Sequence, residues 1–368
     1  MKTTSNNSNN LNRLNKLNLA LLLALSTSLV GCGGGGGNSN PDTPVIDDGT
    51  DPDTDPGTDP EPTTPEALEL TASDALDYGV AFQRAMYVFT ETLQPYANGD
   101  QPQEVVKALF YYPQAAKLAY DNVIQPNAAC DSGSATPQMV DLNSDGQVTL
   151  EGESMSYTFN QCQITTDSGT MLLDGTLQYA YQATQTVTEH QALLTYTHLS
   201  VQTQAATFAL DGNRLLEINT NGGLVLTSTV QNGLTQTATA GDQSSGNALQ
   251  DGYTQTYQRQ GNEWQLSVTG QSVLTQGNQQ AVLTTSQSEA FRGLVNGNQD
   301  HEPYQGQYQI LWNTGDMALM DKALQFQSVA STQVTEDYQV QINFLDDAGS
   351  DTISDSFTIN WAGTNPNP

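Results

Sequence analysis

From about Gln147 to Trp361, apolar residues recur at every second position. In TLQYAYQ, the residues Leu177, Tyr179 and Tyr181 share a face, and in EWQLSV the set is Trp264, Leu266 and Val268. YQILW places Tyr308, Ile310 and Trp312 together, and DYQVQINF does the same with Tyr338, Val340, Ile342 and Phe344. SFTINW ends the series with Phe357, Ile359 and Trp361, while the alternate positions carry Gln, Thr, Ser and Asn. A period of two with one apolar and one polar side predicts antiparallel strands that are buried on one face and wet on the other. Asp174-Gly175, Asp211-Gly212, Asn221-Gly222-Gly223, Asn232-Gly233, Gly261-Asn262 and Asn296-Gly297-Asn298 read as turns between strands. With connections this short, sequence neighbours pair as a meander, and about a dozen strands must curl to cover one face.

Upstream, over roughly 71–124, the period changes. Thr71 and Asp74 have capping-box spacing. Tyr78, Ala81, Phe82, Ala85, Phe89 and Leu93 then recur at helical intervals up to Pro95. A second helical stretch, 103–123, is broken or kinked at Pro113. Helices with one apolar stripe each must lie against something, and the sheet is the available partner. The expected class is α+β, mainly antiparallel β. A curved meander sheet or incomplete β-barrel would carry the N-terminal helices on its apolar side, with a β-sandwich as the alternative.

The first 31 residues follow a different logic. Residues 1–18 are polar, with Lys2, Arg13 and Lys16 and no acid, and an apolar run, LALLLALSTSLV, spans Leu19 to Val30. This is the layout of a secretory signal. The run is too short for a bilayer, which needs roughly 20 apolar residues. It ends in Leu29-Val30-Gly31-Cys32, which resembles the lipobox of bacterial lipoproteins. The resemblance implies a diacylglycerol on the Cys32 thiol, cleavage after Gly31 and acylation of the new amine. Under the sorting rule of enteric bacteria, Gly33 in place of Asp implies the outer membrane. Acyl burial contributes about 0.8 kcal/mol per CH2, so two or more chains anchor firmly. With Cys32 lipidated, Cys130 and Cys162 remain as an even pair in an oxidising compartment, expected to be a disulfide.

Between Cys32 and residue 65 lie Gly33–Gly37 and a run of Asp-Pro and Thr-Asp-Pro units with no aromatic residue. Such a composition cannot offset the entropy of ordering and is expected to be a disordered tether. It would span roughly 30 Å as a coil and about 100 Å if fully extended. The remainder divides into a helical segment, 66–125, and an antiparallel β region, 126–368, together expected to form one folded unit. The net charge is −30, from 40 acidic and 10 basic residues. Nucleic acid is excluded as a partner, because phosphate binding needs clustered Lys and Arg. The acidity implies solubility and self-repulsion, or binding of divalent cations.

Candidate chemistry is sparse. Asp141-Leu-Asn143-Ser-Asp145-Gly146-Gln-Val148 matches the first eight positions of an EF-hand-type calcium loop. Position twelve, where a bidentate Glu belongs, is Gly152, flanked by Glu151 and Glu153. Two readings follow: an Asp-Gly hairpin turn, or a weak calcium loop of Asp141, Asn143 and Asp145 completed by Glu151 or Glu153. No other cofactor is implied, and no residue set forms a catalytic signature. Gly241-Asp-Gln-Ser244-Ser-Gly246 lacks the nucleophile-elbow spacing, and His301-Glu302 is followed by Pro303 rather than completing a zinc motif.

Cys130-Asp-Ser-Gly-Ser, Asp141-Leu-Asn-Ser-Asp-Gly, Glu151-Gly-Glu-Ser and Tyr157-Thr-Phe-Asn-Gln-Cys162 together resemble a recurring segment of uncharacterised bacterial lipoproteins. The late strands YQGQYQILW and DSFTINW are similar to the ends of the same proteins. The resemblance implies fold and location and carries no activity. The functional expectation is a lipid-anchored outer-membrane or cell-surface protein, periplasmic-facing or surface-exposed, with a non-catalytic binding or structural role toward a protein, lipid or glycan. A hydrolase acting on envelope or extracellular polymer, and a carrier of lipid or other hydrophobic ligand, are the alternatives.

Overall fold

The alternating stretches form strands far longer than an average β-strand. The computed structural model describes residues 65–96, 98–99, 101–186, 188–296, 299–313, 322–330, 338–349 and 352–361. Residues 1–64, which hold the expected signal, Cys32 and nearly all of the expected tether, lie outside the described residues. A short strand β1 (Glu66–Ala67) precedes helix α1 (Ala72–Leu93), which ends in a 3-10 turn at Gln94–Tyr96. Helices α2 (Pro102–Phe110) and α3 (Gln114–Ala119) follow, the latter running into a π-helical turn at Tyr120–Ile124. Then come β2 (Ser132–Val140), β3 (Ser154–Thr166), β4 (Gly169–Thr186), β5 (Glu189–Gln202), β6 (Thr207–Asn219) and β7 (Gly223–Ala240). They are followed by β8 (Gln243–Leu249), β9 (Thr254–Gln260), β10 (Glu263–Gln276), β11 (Gln279–Asn296) and β12 (Gln299–Asn313). The last three are β13 (Lys322–Ala330), β14 (Tyr338–Leu345) and β15 (Asp355–Ile359).

All of the described strands belong to one curved sheet, ordered β15-β14-β13-β12-β11-β10-β8-β7-β6-β5-β4-β3-β2. The meander is antiparallel throughout, apart from β1, which pairs in parallel with β11. Strands β8 and β9 lie end to end in one place, both between β7 and β10. The chain is therefore α+β, built on a single antiparallel sheet rather than on two packed sheets. Pro137 sits in β2, at the sheet edge, where a missing N–H interrupts no ladder. The Cys130–Cys162 disulfide, with Cα atoms 5.3 Å apart, ties the start of β2 to β3.

Three of the expected turns are not turns. Asn221-Gly222 and Gly261-Asn262 do connect strands, but Asp174-Gly175 lies inside β4, Asp211-Gly212 inside β6 and Asn232-Gly233 inside β7. Each marks a bulge where the register shifts against a neighbour. The backbone takes positive φ in mid-strand at Gln161, Gly175, His198, Gly212, Asn232, Gly270 and Gly306, and at Gly252 in the turn between β8 and β9. These positions face one another from strand to strand and form a crease across the sheet, since bulges bend and twist the strand that carries them. Short acidic side chains pin the crease. Asp174 Oδ1 accepts the Gln161 N–H at 3.1 Å, Asp211 Oδ1 accepts that of His198 at 2.7 Å, and Asp251 Oδ1 that of Asn232 at 3.2 Å. Glycine is required at the closest approach: a Cβ on Gly212 (φ +115°) would lie 2.2 Å from the Gly233 carbonyl oxygen.

The helices cover the inner face of this bent sheet. Thr71 caps α1 in extended conformation, but its hydroxyl donates to the Asp74 carboxylate instead of accepting a backbone N–H. Pro113 ends one helix and opens the next, as its missing N–H requires. Helix α1 buries Ala75, Met86, Phe89 and Leu93 and passes close to β14, where a Cβ on Gly79 would meet Ile342 Cγ2 at 2.9 Å. Long-range hydrogen bonds fix the layer. Trp312 Nε1 donates to the Leu68 carbonyl at 2.8 Å, Gln83 Nε2 to that of Trp361 at 3.2 Å, and the Tyr196 hydroxyl to that of Phe110 at 2.9 Å. One continuous apolar cluster runs from the helices through β3 to β15.

Candidate functional site

The loop from Asp141 to Glu153 folds on its own backbone. Asp141 accepts N–H bonds from Ser144 and Asp145 through Oδ1 and from Gly146 through Oδ2. Asn143 Oδ1 accepts from Asp145, and Asp145 Oδ1 from Gln147. Glu153 is turned inward and fully covered, its Oε2 accepting from Thr149 and Leu150 and its Oε1 from Leu142. Those N–H donors, Thr149 first, hold its carboxyl below the usual glutamate range. Glu151 stands exposed in the following turn. Among the described residues, no group of three or more His, Cys, Asp or Glu side chains is arranged to hold a metal ion. The loop therefore brings Asp141, Asn143 and Asp145 together, while Glu153 is occupied in clamping backbone N–H groups on its inner side.

A second feature lies under the crease. A cavity of about 100 Å³ separates α1 from the inner face of the sheet. Ala81, Phe82, Ala85 and Met86 of α1 form one wall, and Leu249, Leu274, Leu283 and Ile310 form part of the other. The sheet wall also carries a polar belt, beside the crease. Arg214, Ser272 and Tyr308 each stand two residues beyond a positive-φ glycine (Gly212, Gly270 and Gly306), and Tyr253 directly follows Gly252. In β6 and β10 the inward alternation runs on through the glycine, so Arg214 and Ser272 face inward with the apolar positions of their strands.

Arg214 is the unusual member. It is 3% exposed, and neither its Nε nor its Nη1 has a hydrogen-bond partner among the described residues. Asn247 Oδ1 and the Tyr308 hydroxyl, in the same lining, are likewise unpartnered. The phenols around it are raised by burial: Tyr112 and Tyr196 upward, and Tyr253 to about 12. The positive charge of Arg214 draws each of the three partly back. All stay protonated at neutral pH, so they supply O–H dipoles and no counter-charge.

No family model, curated protein or solved structure matches the chain. The site must therefore be read from its own chemistry. Its described lining contains no His, Cys, Asp or Glu, so the Ser272 and Thr285 hydroxyls have no such base beside them in the lining. What it offers is one fixed cation, several neutral hydrogen-bonding groups and an apolar wall. Among the described residues, no helix is long and apolar enough to cross a membrane.

Sequence reasoning passed over Arg214, although the signal was present. Phe208, Leu210, Leu216 and Ile218 are the buried apolar positions of β6, and Arg214 falls on the same alternation. A lone cation on an apolar stripe marks a functional candidate. The apparent Asp211-Gly212 turn, just before it, hid the stripe.

Proposed function

We propose that this chain is a lipid-anchored bacterial envelope protein whose folded domain binds a small ligand and does not transform it. The lipobox at Cys32 and the acidic tether support the anchoring, and the absence of Lys and Arg clusters argues against a nucleic-acid partner. The observation that carries the binding role is the cavity between α1 and the sheet, half apolar and half polar. Ligand sites are typically apolar cavities with a few convergent polar groups. A volume of about 100 Å³ suits a molecule of a few carbons rather than a long acyl chain.

The test is a melt of the full chain, purified in neutral detergent, against matched small organic molecules, anionic and neutral. Saturable stabilisation by some member supports a binding role. A flat response to every member, or turnover of an ester or glycan substrate by the same preparation, overturns it. The anchor has its own test: Cys32→Ala should abolish palmitate labelling and release the chain from membranes, and retained labelling would refute the lipobox reading.

A further inference from the structure

Arg214 raises a question that the binding role alone leaves open: what neutralises it. An arginine stays protonated in proteins, so this one cannot shed its charge when buried. A buried cation without a partner is strongly unfavourable, and such groups are found paired or bound to a ligand. Acids are not scarce here, since 40 stand against 10 basic residues. Yet no carboxylate among the described residues pairs with this side chain or lines its cavity. By contrast, Lys107, Lys117 and Lys322, nearer the surface, each have an acidic partner.

We infer that the cavity binds a small monocarboxylate, with its anionic head on the Arg214 guanidinium and its apolar body against Leu249, Leu274, Leu283 and Ile310. This rests on the binding role proposed above and narrows it to a ligand class. Three observations set that class. One buried cation matches one negative charge, and two of its nitrogens are free to donate. The unpartnered Tyr308 hydroxyl supplies a further donor in the same lining. The apolar walls favour a hydrocarbon body over a fully hydrated inorganic anion, and the volume limits that body to a few carbons.

The experiment titrates the full chain in neutral detergent and low-chloride buffer with propionate, butyrate, their neutral amides and inorganic phosphate. Heat of binding and melting temperature are read together. Propionate or butyrate should bind saturably, with the matching amide at least tenfold weaker. Arg214→Met should lose at least tenfold in carboxylate affinity. Tyr308→Phe, a gentler change, should lose about threefold and covers the case in which Arg214→Met fails to fold. Equal binding of acid and amide would leave the binding role standing and overturn the carboxylate inference, as would tighter binding of phosphate or undiminished affinity in Arg214→Met. Silence from every compound would overturn both.

Discussion

An arginine buried for a ligand should weaken the protein that carries it. In the unliganded chain, the 3% exposure of Arg214 leaves its charge almost wholly removed from water, with no carboxylate among the described residues to offset it. The effective penalty for such a buried ion is several kcal/mol, reduced here by the dipoles of Tyr112, Tyr196 and Tyr253. Arg214→Met keeps an unbranched side chain in the same space and removes the charge. The expected gain is about 2 kcal/mol, or a rise in Tm of roughly 3 °C for a domain of this size. Calorimetry of wild type and variant in carboxylate-free buffer measures it. Arg259 is the control: it is nearly as buried as Arg214, but it is a residue with an interaction partner, so Arg259→Met should lower Tm. Added butyrate should narrow the gap between wild type and Arg214→Met, because only the wild type gains from the ligand. A variant that melts at or below the wild-type temperature would refute the reasoning, showing that the folded protein already neutralises its guanidinium.

Other outcomes follow from the fold. Gly212→Ala forces a side chain into φ +115° and against the Gly233 carbonyl oxygen, at a cost of about 1–3 kcal/mol in urea unfolding. Gly222→Ala, in an open hairpin turn, should cost only about 1 kcal/mol; equal costs would deny the crease any special role. Reduction of Cys130–Cys162, or its replacement by two serines, should lower stability by about 3–4 kcal/mol from loop closure alone, and an unchanged urea midpoint would show that β2 needs no tie. The lowered Glu153 pKa means that the ionised carboxylate favours the folded state. Its stabilisation is fully present above about 4.5, its ordinary value, and is lost as the pH falls through the folded value. The melting gap between wild type and Glu153→Gln should therefore close on acidification; a pH-independent gap would mean that the N–H clamp does not depend on charge.

The parts of this fold legible in the sequence were those fixed by periodicity. Tyr308, Ile310 and Trp312 announce a half-buried strand wherever they occur, and the Tyr78 to Leu93 spacing announces a helix face. Pro113 was readable because a missing N–H has the same effect in any context. The Asp-Gly pairs were ambiguous for a physical reason. A positive φ with a short carboxylate beside it serves a two-residue hairpin and a bulge equally well, and only the partner strand decides between them. Gly175 and Gly212 find theirs at His198 and Gly233, contacts that no local pattern encodes. The loop at Asp141 was readable as a chain of oxygen donors, but the inward turn of Glu153 depends on where the Thr149 and Leu150 N–H groups point. Arg214 lies on the same alternation as Leu210 and Leu216, and it was hidden because Asp211-Gly212 read as a turn that cut the strand in two.

The bond from Gln83 to the carbonyl of Trp361 joins residues 278 positions apart. Helix α1 is among the first folded elements to be synthesised, and the strands it packs on, β14 and β15, are the last. During synthesis the apolar face of α1 must wait while the meander adds its strands in order, each onto the one before. Contacts this distant in sequence slow folding and prolong the exposure of apolar surface. The sheet wall of the cavity is complete with β12, but α1 gains its last partners only when the final strand arrives, and truncation by a few residues before Trp361 should leave a nearly complete sheet that holds its helix less firmly.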